Sequence, residues 1–277
     1  KGAAMCELLG LCFNKPVRPE ISFRGFRRRA QGNPDGWGIA RFEGPACQVF
    51  KEPGRADRSA LAEFLCDYQL LESTILIAHV REGSPGMGGR ALKNTHPFVR
   101  VFRQREVVLA HNGTLKLEAL SSTGEYQPEG DTDSERLLCL LLTDMSQRCI
   151  GFDAYQGIEQ LLQQYNKHGT MNVLFSEGDH LYAYTEKDAY KPAEDEKKRP
   201  RNGLHVVDRQ APFGKVSLAD EDWEVNIDEQ EDAEQQGVVI ATRPLTTGKK
   251  EKWRPLQAGS LTVVNAGRQV DPPEPKA

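Results

Sequence analysis

The sequence lacks any apolar run long enough to cross a membrane, and its beginning lacks the hydrophobic region of a signal peptide. It also lacks a basic excess, because 36 Lys and Arg stand against 40 Asp and Glu, for a net charge of -4. Without a basic field, nucleic acid is not an expected partner. These absences argue against membrane insertion and nucleic-acid binding.

Closely paired cysteines are absent as well. The six cysteines include no CxxC pair and show no spacing typical of a small disulfide-bonded scaffold. Cys66 and Cys139 lie inside apolar runs, where a reduced thiol behaves as a small hydrophobic group. The cysteine pattern therefore predicts a protein of the reducing cytoplasm.

A chain of 277 residues can bury a substantial core. Strand-like segments come before and after two helical blocks, which favours one α/β sandwich over two separable domains. Short apolar runs and β-branched content predict strands at 7–13, 37–42, 47–51, 74–80, 106–111, 172–176, 181–185, 204–208, 238–242 and 260–265. Helices are predicted after Asp57 or Ser59, after a capping box at Thr132, and over 153–165.

Several segments are predicted to carry no function. Residues 187–202 and 220–236 are charged and indicate solvated loops. The three arginines at 27–29 are predicted to form the solvated face of a helix. Residues 1–5 are interpreted as a remnant of recombinant expression that ends at an initiator methionine. A single domain would then span 6–270, with a tail at 271–277.

Four short stretches carry residues suited to chemistry. They are MCELLG at 5–10, IAHVR at 77–81, HNGT at 111–114 and GDTDSE at 130–135. Each is weak alone, since Asn-Gly is common in turns and TDSE is a frequent helix cap. An isolated arginine or a buried cysteine needs no functional explanation.

Together, in this order and spacing, these stretches resemble the class II glutamine amidotransferases. Within that family the sequence is most similar to short free-standing bacterial members of the YafJ type. PDGWG at 34–38, NTHPF at 94–98 and ATRPLT at 241–246 fit the same pattern. The resemblance implies an α+β fold of N-terminal-nucleophile hydrolase type, a four-layer αββα sandwich with two stacked, mainly antiparallel sheets.

The resemblance makes Cys6 the nucleophile, and the chemistry of the residue agrees. A thiol reacts as its thiolate and needs a base. If Met5 is removed, the α-amine of Cys6, with a pKa of about 8, can act as that base. Negative charge then develops on the attacked carbonyl oxygen. The resemblance assigns the stabilising donors to the Asn112 side chain and the Gly113 backbone N–H.

The expected substrate is glutamine or another γ-glutamyl compound. The resemblance assigns its carboxylate to Arg81, whose guanidinium can bind two oxygens, and its ammonium to Asp133. Family members fused to synthase domains read Arg-Trp-Ala-Thr-His-Gly at this point. Here Glu82 replaces the aromatic residue. Glu82 and His111 are therefore predicted to shape the pocket.

A metal site is the other interpretation of the histidines. Neighbouring strands could bring His79, His96 and His111 together, and three histidines suit zinc. No HExxH motif or paired cysteine spacing supports a metal, so neither metal nor cofactor is expected. The glycine-rich residues 83–89 lack the Lys-Ser/Thr ending of a P-loop and are predicted to form an active-site loop.

Three functions remain open at this point. The first is release of ammonia from glutamine through a γ-glutamyl thioester on Cys6, with a separate protein as a possible ammonia acceptor. The second is hydrolysis of γ-glutamyl peptides or amides, in which only the leaving group differs. The third is a non-catalytic glutamine sensor, for which a nucleophile would be unnecessary.

Overall fold

The computed structural model describes residues 6–31, 33–68, 71–82, 89–116, 124–192, 202–213, 215–219, 224–226 and 234–270. The α-helices are α1 (Glu20–Arg28), α2 (Ala60–Asp67), α3 (Asp133–Gln147) and α4 (Tyr155–Tyr165). The strands are β1 (Glu7–Val17), β2 (Trp37–Glu43), β3 (Ala46–Glu52), β4 (Ser73–Val80), β5 (Phe98–Phe102), β6 (Arg105–Leu115), β7 (Gly169–Ser176), β8 (His180–Tyr184), β9 (His205–Gln210), β10 (Lys215–Leu218), β11 (Glu224–Asn226), β12 (Gln236–Ala241), β13 (Thr246–Thr247), β14 (Arg254–Pro255), β15 (Leu261–Asn265) and β16 (Arg268–Val270).

Two large sheets organise the molecule. The seven-stranded sheet has the order β14-β9-β12-β1-β4-β2-β3, and the six-stranded sheet has the order β16-β15-β8-β7-β6-β5. Neighbouring strands in both run antiparallel. A small three-stranded sheet has the order β11-β10-β13. Because β1 lies between β12 and β4, the strand that follows Cys6 is a central strand.

The buried side chains form three apolar layers. Leu8, Ile77, Val108 and Leu174 share one cluster, which lies between the two large sheets. A second cluster packs the other face of the seven-stranded sheet against α1 and α2, and a third packs the other face of the six-stranded sheet against α3 and α4. Each fully buried Leu or Ile contributes roughly 1.5–3 kcal/mol to this packing. The layers confirm the predicted αββα sandwich.

The predicted strands are present, and most are longer than predicted. Helix α2 is capped by Ser59, whose Oγ accepts a hydrogen bond from the Ala62 N–H at 2.9 Å. Asp57, the other candidate cap, binds Arg55 instead, with an N–O distance of 2.6 Å. The sequence did not predict β5. This strand is only five residues long and has an arginine at its centre, so its apolar pattern is too short to stand out.

The prediction of a solvated arginine face is wrong for Arg29. Its side chain is only 4% exposed and lies 3.3 Å from Glu7 Oε2. Arg29 also donates to the carbonyl oxygens of Arg243 at 3.1 Å and Pro244 at 2.6 Å. Glu7 in turn accepts from Arg243 Nε at 2.6 Å. A buried carboxylate requires such partners, so Arg29 turns inward at the end of α1.

The acidic segment 220–236 is not a solvated loop throughout, because β11 pairs with β10 and β12 begins at Gln236. Residues 1–5, all but the last residue of the predicted loop 83–89, the predicted tail 271–277 and most of the charged segment 187–202 lie outside the described residues. Predictions for those segments remain predictions. Among the described residues, no helix is both long and apolar enough to cross a membrane.

Candidate active site

Cys6 lies at the start of the central strand β1, at one edge of the space between the sheets. Its Sγ accepts a hydrogen bond from the Glu82 N–H at 3.1 Å and lies 3.2 Å from the Glu82 carbonyl oxygen, to which the thiol can donate. Burial raises the pKa of this thiol to about 12, and the Glu82 N–H and the Arg81 charge oppose the rise only in part. A separate base is therefore needed to form the thiolate at neutral pH.

Asn112 and Gly113 lie near the end of β6, opposite Cys6. The Asn112 side chain donates from Nδ2 to the Cys6 carbonyl oxygen at 2.6 Å. Gly113 passes so close to β7 that a Cβ there would lie 2.0 Å from the Thr170 carbonyl oxygen and 2.7 Å from His111 Nε2. Only glycine permits this approach of the two strands.

His111 is buried beside these residues and bonded through both ring nitrogens. Nε2 lies 3.2 Å from the Thr170 carbonyl oxygen, and Nδ1 lies 2.9 Å from Ser134 Oγ. A carbonyl only accepts, so Nε2 carries the proton and Nδ1 accepts from the serine hydroxyl. Burial lowers the pKa of His111, although Asp133 opposes the change. The neutral ring thus joins β6 to the first turn of α3.

Arg81 is held by the PDGWG stretch. Its backbone N–H donates to the Gly36 carbonyl oxygen at 2.8 Å, and its carbonyl oxygen accepts from the Asp35 N–H at 3.0 Å. Its Nη1 lies 3.4 Å from the Asp35 carbonyl oxygen. Gly38 allows a second close approach, since a Cβ there would lie 2.2 Å from the His96 carbonyl oxygen. The PDGWG stretch therefore holds the backbone of the candidate carboxylate-binding arginine in place.

Asp133 is the first residue of α3. Thr132 caps the helix, its side chain accepting from the Glu135 N–H at 3.2 Å. A capping box would also have the Glu135 side chain accept from the N–H of Thr132. Here the Glu135 carboxylate instead accepts from the N–H groups of Glu129 and Gly130 at 3.1 and 2.7 Å. Asp133 Oδ2 accepts from the Leu115 N–H at 2.7 Å. This bond fixes the carboxylate at the end of β6.

A solvent-open cleft gathers most of these groups. It is lined by Cys6, Arg81, Glu82, His96, His111, Gly113, Thr132, Asp133 and Ser134. Asn112 joins the group through its bond to Cys6. The structure thus brings together the seven residues predicted for catalysis, substrate binding and the pocket. Thr132, Ser134 and His96 were missed as lining residues, although all three lie within the quoted motifs.

His79 and His96 form a tilted pair of rings. Their ring centroids lie 4.0 Å apart at an interplanar angle of 35°, and the Phe98 ring packs edge-on against His96 with the centroids 4.7 Å apart. Both ring nitrogens of His96 are buried without a hydrogen-bond partner among the described residues. Within the same ranges, no three His, Cys, Asp or Glu side chains are placed to hold a metal ion.

Comparison with known proteins identifies a family. The family described as "Glutamine amidotransferases class-II" matches residues 5–276. YafJ of Escherichia coli, a glutamine amidotransferase by provisional assignment, is 34% identical over 274 residues, which cover 96% of this chain and 100% of YafJ. A protein of Methanocaldococcus jannaschii is 38% identical over 270 residues, covering 96% of this chain and 71% of that protein.

Solved structures agree with the fold. The crystal structure of a predicted glutamine amidotransferase from Pseudomonas aeruginosa PA01 is 27% identical, with a TM-score of 0.68 and coverage of 96% of this chain and 100% of that one. Glutamine phosphoribosylpyrophosphate amidotransferase from B. subtilis is 17% identical, with a TM-score of 0.60. This chain aligns over 96% of its own length with 48% of that larger protein. At that identity, the likeness supports the fold alone.

Proposed function

Since this chain belongs to the class II glutamine amidotransferases, we propose that it is an enzyme that hydrolyses the side-chain amide of glutamine. Cys6 attacks the γ-carboxamide carbon, ammonia leaves, and water then cleaves the γ-glutamyl thioester to glutamate. The observation that carries this proposal is the shared cleft. A thiol, a side-chain amide bonded at the nucleophile, and an arginine and an aspartate of opposite charge meet around it.

The base is the α-amine of a chain that begins at Cys6. The thiol, with its pKa raised to about 12, is almost fully protonated at neutral pH. An α-amine with a pKa of about 8 is suited to take that proton, directly or through one water, and later to return it to the departing ammonia. Residues 1–5, when attached, would convert this amine into a peptide N–H that cannot act as a base.

The oxyanion is stabilised by Asn112 and Gly113. Nδ2 of Asn112 carries two hydrogens, and the bond to the Cys6 carbonyl oxygen uses one of them. That bond fixes the orientation of the amide, so the second hydrogen can be directed towards the developing charge without reorganisation. Such prearranged donors stabilise a transition state more than flexible ones do.

Arg81 and Asp133 bind the α-amino-acid end of the substrate, which is remote from the reacting γ-carbon. Arg81 binds the α-carboxylate through its planar guanidinium, and Asp133 binds the α-ammonium. The Leu115 N–H occupies one oxygen of Asp133. A carboxylate has about four acceptor positions, so Asp133 retains capacity for the ammonium.

The released ammonia passes to a separate acceptor protein or into solution. We place the enzyme in the reducing cytoplasm, because each of its six cysteines is a free thiol. No metal or cofactor is required by the proposed steps, which use only side chains and backbone groups.

The test is release of ammonia and glutamate from glutamine, measured with protein that begins at Cys6. Turnover that disappears in Cys6→Ala supports the nucleophile. A form that keeps residues 1–5 should show feeble activity; equal activity in both forms would exclude the α-amine as base. If the Cys6-initiated protein binds glutamine without turnover, the protein is a sensor and the proposal is wrong.

A second candidate function is hydrolysis of γ-glutamyl peptides or amides. Glu82 favours it, because this residue contacts Cys6 Sγ through its backbone at the position where fused relatives carry a covering aromatic residue. Without an aromatic cover at this position, a leaving group larger than ammonia would meet less steric hindrance. Competition between glutamine and a γ-glutamyl dipeptide separates the two functions: the compound with the higher kcat/KM is the better substrate.

A further inference from the structure

A buried asparagine that does not line the cleft bridges the two chain segments next to Arg81 and Asp133. Asn94 is 2% exposed and lies in a short turn between β4 and β5. Its Nδ2 donates to the Gly89 carbonyl oxygen at 3.1 Å, and its Oδ1 accepts from the Asp131 N–H at 2.9 Å. One side chain thus joins the segment that follows Arg81 to the segment that precedes Asp133.

The first segment and Arg81 are both bound to residues 34–36. Arg90, next to Gly89, donates from Nε to Asp35 Oδ1 at 2.9 Å and from Nη2 to the Pro34 carbonyl oxygen at 3.0 Å. Asp35 is also the residue whose backbone brackets Arg81. The position of Gly89 is therefore linked, through residues 34–36, to the position of Arg81.

The second segment is held firmly as well. Glu135 is 2% exposed, pairs with Arg100 at 2.5 Å and accepts from the N–H groups of Glu129 and Gly130. Gly130 packs directly on Asn94, since a Cβ there would lie 2.4 Å from Asn94 Oδ1. Asn94 therefore meets a loop that is already fixed to the first turn of α3, where Asp133 lies.

We propose that Asn94 is a positioning residue that sets the separation between Arg81 and Asp133, and thereby the affinity for an α-amino acid. The inference rests on the proposed function, in which these two residues bind the carboxylate and the ammonium of glutamine. A ligand held at both charged ends requires a fixed spacing between its partners. Asn94 does not touch the reacting atoms, so its loss changes binding and leaves the chemical step intact.

The experiment measures glutamine binding in a Cys6→Ala background, and KM and kcat in protein that begins at Cys6. We expect Asn94→Ala to raise both Kd and KM about tenfold, the equivalent of about 1.4 kcal/mol, and to leave kcat within about twofold. Asn94→Asp retains the acceptor for Asp131 and presents an oxygen to the Gly89 carbonyl oxygen, so a similar loss of affinity is expected.

Asn14→Ala is the matched control. Asn14 makes the same two kinds of bond, from Nδ2 to the Glu234 carbonyl oxygen at 3.0 Å and from the Gln236 N–H to Oδ1 at 2.9 Å. It lies eight positions after Cys6 along β1, towards the other end of that strand. We expect unchanged Kd and KM in this variant.

The outcomes distinguish the two levels of the proposal. If Cys6→Ala itself does not bind glutamine, the proposed function fails, and this inference fails with it. If Cys6→Ala binds glutamine and Asn94→Ala binds it equally well, only the positioning role is overturned. An equal loss in Asn14→Ala, or a fall in kcat with KM unchanged, also overturns the positioning role.

Discussion

Lowering the pH below about 6.5, the ordinary pKa of histidine, is expected to destabilise the fold through the buried pair His79 and His96. Burial lowers the pKa of His79 to about 3, with smaller contributions from Arg81 and His111. Burial likewise lowers the pKa of His96 well below its ordinary value, and here His79, His111, Arg81 and Lys51 all add to the effect. Both rings are therefore neutral in the folded protein over most of the acidic range.

The sign and size of the effect follow from proton uptake. In the unfolded chain both histidines bind a proton as the pH falls through about 6.5, whereas in the folded chain they do not. The unfolded state thus binds one more proton per histidine between about pH 6.5 and the lowered pKa. For each pH unit by which the pH falls, each histidine then reduces the free energy of unfolding by about 1.4 kcal/mol. The two histidines together reduce it by about 3 kcal/mol per pH unit.

Urea unfolding at several pH values between 8 and 5 measures this dependence. Carboxylates also titrate at the acidic end, so the comparison is with His79→Phe and with His79→Phe/His96→Phe, which keep every carboxylate. Below pH 6 the slope of unfolding free energy against pH should be smaller by about 1.4 kcal/mol per unit for each histidine removed. Above pH 7.5 the slopes should coincide. Equal acidic slopes in all three proteins would refute the argument, since the histidines would then be charged in the fold.

Three further predictions concern the site and the fold. Gly113→Ala should lower kcat for glutamine at least a hundredfold, because the new Cβ would lie 2.0 Å from the Thr170 carbonyl oxygen and would force β6 and β7 apart. As a control, Gly54→Ala should keep wild-type kcat, because a Cβ at that position meets no atom within 4 Å. Asn112→Ala should lower kcat about 10²- to 10³-fold through loss of an oxyanion donor, and unchanged kcat would exclude that role. Arg29→Met should reduce the free energy of unfolding by about 3 kcal/mol by leaving Glu7 short of a partner. In the same urea assay, the exposed neighbour Arg28→Met should change it by less than about 0.5 kcal/mol, and similar losses in both would contradict the buried pair.

Local patterns predicted most of the fold. The apolar runs of β1 and β4 and the cap at Thr132 depend on residues a few positions apart, so the sequence displays them directly. The site was predicted through the family resemblance of four motifs, and the structure places those motifs around one cleft. Its roles stay predictions until turnover is measured.

Long-range partners could not be predicted. Arg29 binds Glu7 and the carbonyl oxygen of Arg243, which lies 214 positions further along the chain. No pattern among the residues next to Arg29 therefore indicates that its side chain is buried. Glu135 likewise looked like half of a capping box, but Arg100 and two backbone N–H groups draw its carboxylate elsewhere. In both cases the position of a charged side chain is determined by a partner that is distant in sequence and that it contacts only in the folded protein.

The central position of β1 has a consequence for the order of events on the ribosome. β1 is made before all other described strands, whereas its neighbour β12 is made much later, with Leu9 opposite Ala241. At roughly 5–20 residues per second, the intervening chain takes on the order of tens of seconds to synthesise. We expect a nascent chain to keep the nucleophile strand unpaired along one side during that time. Activity should therefore begin only after β12 emerges, so that translation products truncated before it are inactive and, with an open strand edge, prone to aggregate.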